Sequence, residues 1–295
     1  MRDFVNKRKY LYGFSAILIV ISIAVLAVWR LTLGVDFKGG NLLELKFEKQ
    51  VVVSDLLKSM QGLGIKDVTV QPGENATFRI SVPQLTEAQY QDIKNALTKD
   101  IGAFEELRFD SVGPTVSKTI RNRAIGAVIL VLLLISLYIA YAFRKATRMV
   151  SSWHYGLATL IALAHDIFLT IGFYSVYSHV SGAFVDINFI VVLLVVLGFS
   201  VHDTIVVFDR IRENVVKSKA SFDEIVNVSL NQTLVRSITT SLTTIIVLIT
   251  ILLFAGSVLD HFVSPLIFGI AVGTYSSIFI ASALLVDWQK RKTSH

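Results

Sequence analysis

The stretch from Ile187 to Phe208 limits the fold more than any other part of the chain. Ile187 to Val201 is almost wholly apolar, His202 and Asp203 interrupt it, and Thr204 to Phe208 resume it before Asp209. A carboxylic acid inside a run of this kind costs about 2.5–3.5 kcal/mol on insertion scales, so such residues face a bundle interior or a water-filled path. The plainer alternative is an Asp satisfied by a neighbouring helix, or one that snorkels to the polar end five residues away.

Similar runs recur. Of the 295 residues 53% are hydrophobic and the mean hydropathy is +0.63, which excludes an ordinary soluble globule and points to a polytopic membrane protein. Looking for roughly 17–25 mostly apolar residues in a row gives six transmembrane helices: Leu11–Leu31, Ala124–Phe143, Trp153–Tyr177, Phe184–Phe208, Ser237–Ser257 and Ser264–Trp288. The first is too long for a signal peptide, and Val28-Trp29-Arg30 is a poor cleavage site.

Six spans put both termini on one side. Arg2, Lys7, Arg8 and Lys9 precede the first span, Arg144, Lys145 and Arg148 follow the second, Arg210, Arg212, Lys217 and Lys219 follow the fourth, and Lys290, Arg291 and Lys292 follow the last. The opposite loops, Ser178–Ala183 and Val258–Val263, hold neither Lys nor Arg. The positive-inside rule therefore places both termini in the cytoplasm. The net charge of +6 is accounted for by these flanks, with no patch for nucleic acid, and the absence of Cys excludes disulfides and thiolate metal sites.

One sizeable polar segment, residues 32–122, lies between the first two spans. It opens on Gly34-Val35-Asp36-Phe37-Lys38-Gly39-Gly40, whose spacing fits neither a P-loop nor a dinucleotide fingerprint and reads as a structural turn entering a strand. A strand at Asn41–Phe47 follows, then a helix capped by Ser54, strands at Asp67–Gln71 and Thr77–Val82 joined by a Pro72–Asn75 turn, a helix opened by a Thr86–Gln89 capping box, and a strand at Glu105–Val112. The order βαββαβ predicts a ferredoxin-like α+β extracytoplasmic domain. It contains no nucleophile with a base and no metal cluster, so it reads as a docking or substrate-contact module, not an enzyme.

Inside the membrane, His165-Asp166 gives the third span a polar pair. With His202-Asp203 this raises an intramembrane metal hydrolase, but no ligand spacing accompanies the pairs and no metal is expected. Proton-handling carboxylates are the more economical reading. Arg236, Thr240, Thr243 and Thr244 share one face of the fifth span. Arg236 either snorkels to the cytoplasmic surface or pairs with Asp203, since the fourth span runs inward and the fifth outward. Gly269, Gly273, Ser277 and Ala281 form a small-residue seam on the sixth span, a packing surface. The charged segment 209–232 is expected to lie along the inner membrane surface through Ile211, Val215, Ile225, Val226 and Val228.

These motifs together resemble the SecD/SecF family of bacterial protein-export membrane subunits over nearly the whole chain. The resemblance rests on Gly34, Asp36, Gly39 and Gly40 after the first span and on Gly113-Pro114 before the second. It rests also on Gly198, Ser200 and Thr204 around His202-Asp203, on Asp209, Arg210, Arg212 and Glu213, and on Asn231, Thr233, Ser237 and Thr240 around Arg236. His202 stands where that family often has Asn. The resemblance implies kinship with resistance-nodulation-division transporters, a six-span partner SecD, association with the SecYEG channel and with preproteins, and a site in the cytoplasmic membrane. It implies that Asp203 binds the coupling proton with Arg236 as its basic partner, and no cofactor beyond protons. Asp166 and His202 join this relay on their position alone. Half of a proton-driven small-molecule or lipid exporter, and a purely structural subunit, are the rival readings.

Overall fold

The computed structural model describes residues 3–144, 149–256 and 259–293. Arg2, Lys145, Arg148, Ser257 and Val258 lie outside the described residues, as does the side chain of Lys292.

Six helices among the described residues are long and apolar enough to cross a membrane. They are α1 (Arg8–Trp29), α5 (Pro114–Ala142), α6 (Ser152–Ser181), α7 (Ile187–Lys217), α8 (Phe222–Phe254) and a last helix that runs as α9 (Asp260–Tyr275), a π-helical segment (Ser276–Ala281) and α10 (Ser282–Thr293). The last helix and α6 form the centre of the bundle, buried over 72% and 61% of their most apolar windows, whereas α1, α5 and α8 lie at the periphery.

Close backbone approaches fix the centre. A side chain at Gly269 would collide with Val196, and one at Gly273 would sit 3.0 Å from the Ser200 Cβ, so the seam of the last helix packs on α7 within this chain. Gly172 on α6 admits Ser22 of α1 in the same way. Small residues at such crossings permit the backbone proximity on which helix association in lipid depends.

Several helices outrun their apolar stretch. Pro114 occupies the first turn of α5 behind the Gly113 cap, a place where its fixed φ suits a helix and its missing N–H costs nothing, so α5 begins ten residues ahead of the expected span. At the other end α7 continues to Lys217 and α8 starts at Phe222. The segment expected on the membrane surface is therefore a helical hairpin. Ile211, Val215, Ile225 and Val226 are buried in one apolar cluster with Phe143 and Leu285, because two amphipathic helices can cover each other's apolar stripes more completely than a headgroup region can.

Between α1 and α5 lies an α+β unit: the one-turn helix α2 (Val35–Lys38), β1 (Gly40–Phe47), α3 (Val53–Gly62), β2 (Thr69–Pro72), β3 (Thr77–Val82), α4 (Glu87–Asp100) and β4 (Phe104–Val112). The sheet order is β2-β3-β1-β4 with every neighbouring pair antiparallel. Leu43, Leu45, Phe47, Phe78 and Ile80 meet Leu56, Met60, Ile93 and Leu97 in its core. The capping box forms, with the Gln89 N–H donating to the Thr86 hydroxyl and the Gln89 side chain accepting from the Thr86 N–H. Ser54 does not cap α3, because the helix starts two residues earlier than such a cap would give, with Val52 at the cap position. Helix α2 was likewise not expected within the glycine-rich turn.

Candidate functional site

The glycine-rich turn ties the α+β unit to the bundle. Leaving α1, the chain forms a parallel bridge from Leu33 to Val185. The Gly34 N–H donates to the Val185 carbonyl at 2.8 Å and the Val185 N–H to the Thr32 carbonyl at 2.8 Å. A Cβ at Gly34 would lie 2.8 Å from the Phe184 ring. The Asp36 carboxylate then accepts the N–H of Ile187, first residue of α7, at 3.0 Å. Gly40, at φ +125°, passes so close to the Val82 carbonyl that no Cβ fits.

Helix α7 carries Asp203 into the bundle interior, 4% exposed. Its Oδ2 accepts the Ser241 hydroxyl of α8 at 3.3 Å, and that hydroxyl lies 2.5 Å from Thr274 Oγ1 of α9. Nδ1 of His202, a half-exposed side chain, lies 3.8 Å from the other carboxylate oxygen. The carboxyl group thus meets a hydroxyl of α8 that is itself bonded to one of α9, and has one imidazole at its edge. Ser237, also buried, has an Oγ without a partner.

Arg236 does not join this group. Its side chain is exposed, and no ion pair links it to Asp203 among the described residues. Five residues separate Arg236 from Ser241, about 7.5 Å along the axis, and the face of α8 turned to Asp203 is that of Ser237 and Ser241. Thr240, expected on the same stripe, donates back to the Arg236 carbonyl at 2.9 Å.

Asp166 forms a second polar centre and is fully buried. Its Oδ2 accepts Ser200 Oγ from α7 at 2.6 Å and Ser276 Oγ from the π-helical segment at 2.7 Å. His165 Nδ1 lies 3.0 Å from Oδ1, so the two neighbours on α6 face each other, and His165 Nε2 is buried without a partner. Thr204 donates to the Ser277 hydroxyl at 2.9 Å, and Ser277 donates to the Ser200 carbonyl at 2.7 Å. The wider π turn lets consecutive serines serve two helices, Ser276 toward α6 and Ser277 toward α7. Such bulges are rare and concentrate at functional sites. Sequence reasoning singled out Asp166, Ser200, Thr204 and Ser277, but gave no role to Ser241, Thr274 and Ser276, whose small hydroxyl side chains look alike on packing and polar faces.

The remaining motif residues hold the hairpin end. Arg210 donates to Gln232 at 2.6 Å and pairs with Glu213 at 2.5 Å, while Asp209 pairs with Arg212 at 2.6 Å. Asn214 donates to Ser229 at 2.8 Å across the two helices. Asn231 and Thr233 bond back to the carbonyls of Asn227 and Ser229. Both chain ends join here: Phe4 N–H donates to Asn227 at 2.9 Å, Arg8 pairs with Asp287 at 2.7 Å, and Lys290 pairs with Asp223. Among the described residues no three His, Asp or Glu side chains are placed to hold a metal ion.

Residues 92–291 match the family model described as the C-terminal part of the protein export membrane protein SecD/SecF, and residues 26–51 match the SecD/SecF GG motif. The chain is similar to the protein translocase subunit SecF of Thermobaculum terrenum, 40% identical over 99% of this chain and 95% of that protein. It is 32% identical to the protein translocase subunit SecDF of Bacillus subtilis over 98% of this chain but 38% of that one. The crystal structure of SecDF from Thermus thermophilus, a translocon-associated membrane protein, superposes with a TM-score of 0.87 at 32% identity, covering 98% of this chain and 39% of that chain.

Proposed function

The chain belongs to the SecD/SecF family of protein-export membrane proteins and is an accessory subunit of Sec protein translocation; from that premise we propose that it uses the proton-motive force, together with SecD, to promote preprotein export through SecYEG. The observation that carries the proton coupling is the burial of Asp203 among hydroxyls of α8 and α9. An ionised carboxylate there is costly, and protonation removes that charge and its hold on Ser241. The helices repack, and Asp36, which accepts from the first turn of α7, passes the movement to the α+β unit. One charge crossing about 100 mV releases roughly 2.3 kcal/mol, enough to drive such a shift.

The α+β unit is proposed as a ferredoxin-like domain on the outer side of the cytoplasmic membrane, a reading supported by its βαββαβ order and its β2-β3-β1-β4 sheet. Both termini are then cytoplasmic, in keeping with the basic residues at the hairpin end. Arg236 is proposed to act at the contact with a second six-span half. A guanidinium on the bundle exterior without an acid partner is expensive near lipid, and SecDF-type relatives carry more than this chain's length.

The test replaces Asp203 with Asn and follows secretion of a preprotein into inverted membrane vesicles, with and without a proton gradient. The expected result is export at the uncoupled rate, indifferent to the gradient. Gradient-stimulated export at the normal rate removes Asp203 from the mechanism.

A further inference from the structure

At the end of the bundle that carries the α+β unit, a groove of about 320 Å³ runs between α2, α5, α6 and α7. Leu31, Phe37, Ala124, Val128, Ile171 and Leu193 are among the side chains that line it, and every lining residue except Arg121 is apolar. Ile125 and Ile129, on the α5 wall, are more than half exposed. They belong to the apolar run of α5, so the groove opens toward hydrocarbon and not toward water.

Arg121 stands at the point where α5 turns from polar to apolar, just ahead of Ala124. It is exposed and has neither an ion pair nor a hydrogen bond from its guanidinium among the described residues. Lys118, three residues earlier and so on the same face, is also exposed and equally without an acid among the described residues. A dry channel open to the bilayer, with one cation in its lining and a second one turn further along the same helix, matches one kind of molecule: an acyl chain joined to a negatively charged head.

We infer that this groove binds an anionic phospholipid of the bilayer, with one acyl chain lying along Phe37, Val128 and Leu193 and its phosphate at Arg121 and Lys118. The guanidinium suits the phosphate because its planar fork donates two parallel hydrogen bonds. Part of the groove wall is Phe37, inside the turn whose Asp36 accepts the first N–H of α7, so the lipid would brace the joint between the α+β unit and the bundle.

The full chain, reconstituted in nanodiscs of equal phosphatidylglycerol and phosphatidylcholine and then released for native mass spectrometry, tests the inference. The expected result is one retained phosphatidylglycerol per wild-type chain. Retention should fall at least fivefold in Arg121→Glu, which reverses the charge on an exposed surface, and in Ala124→Phe, which fills the groove. Equal retention of phosphatidylcholine by the wild type overturns the inference, as does unchanged phosphatidylglycerol retention in Arg121→Glu. That surface variant decides the matter if Ala124→Phe does not fold.

Discussion

Asp36 and Ile187 are 151 positions apart in the chain, yet the carboxylate of one accepts the backbone N–H of the other at 3.0 Å. The bond fastens the turn that leaves the first membrane helix to the first residue of the helix that carries Asp203. An acid at the start of a helix satisfies an orphan N–H and suits the positive end of the helix dipole.

Removing that acceptor should loosen both parts. Asp36→Ala is expected to lower stability by about 1 kcal/mol, in the range of a lost cap, and Asp36→Asn by less. Thermal unfolding in detergent measures the difference, and an Asn variant as unstable as the Ala variant would count against capping.

The two buried acids should behave differently. Asp166→Ala removes the acceptor shared by Ser200 and Ser276, which keep only longer contacts to Ser277 and to the Gly273 carbonyl, and it leaves the buried His165 ring without any partner. A buried polar group left unpaired costs roughly 1–3 kcal/mol, so the chain should unfold at visibly lower temperature. Asp203→Ala frees one long bond at 3.3 Å and should be much milder. Parallel melting curves decide the order.

Arg236→Ala should leave the unfolding free energy of the isolated chain unchanged within about 0.5 kcal/mol, as expected for a surface substitution away from special features. Gradient-dependent export should fall sharply in the same variant. A large loss of stability in the isolated chain would show instead that the guanidinium has a partner inside it.

The seam on the last helix offers a packing test. Gly273→Val places a branched side chain against Ser200, where even a Cβ lies at 3.0 Å, and should cost about 1–3 kcal/mol as overpacking does. Gly126→Ala, where nothing lies within 4 Å of the added carbon, should be neutral or slightly stabilising through helix propensity. Comparing the two by urea or thermal unfolding separates a packed seam from a lipid-facing one.

On the α+β unit, Lys94 pairs with Glu106 at 3.2 Å, and the hydrogen bond to Glu106 holds the Lys94 ammonium above its usual value of 10.5. A raised folded value means the stabilisation is complete below pH 10.5 and fades as pH climbs through the shifted value. Lys94→Met should therefore cost less than about 1 kcal/mol at neutral pH, since the pair is near the surface. On the alkaline side, its deficit relative to the wild type should shrink as pH climbs past 10.5, measured by unfolding across that range.

The sequence by itself determined six membrane helices, because runs of Leu, Ile, Val and Phe of bilayer length have no other stable place. It also determined the βαββαβ order of the polar segment, through alternation, capping and turn residues such as Thr86, Gln89 and Pro72-Gly73. It marked Asp166 and Asp203, since an acid among hydrocarbon side chains stands out in any reading. Only the tertiary structure decided who meets whom. Ser241 and Ser276 became partners of the buried acids, with Thr274 behind Ser241, Arg236 was left on the outside of α8, and the 209–232 segment closed into a hairpin. The reason is that a one-dimensional pattern records how much polarity a helix carries and on which face, whereas helix rotation, the π turn after Tyr275 and close approaches at glycines are set by packing against the other helices.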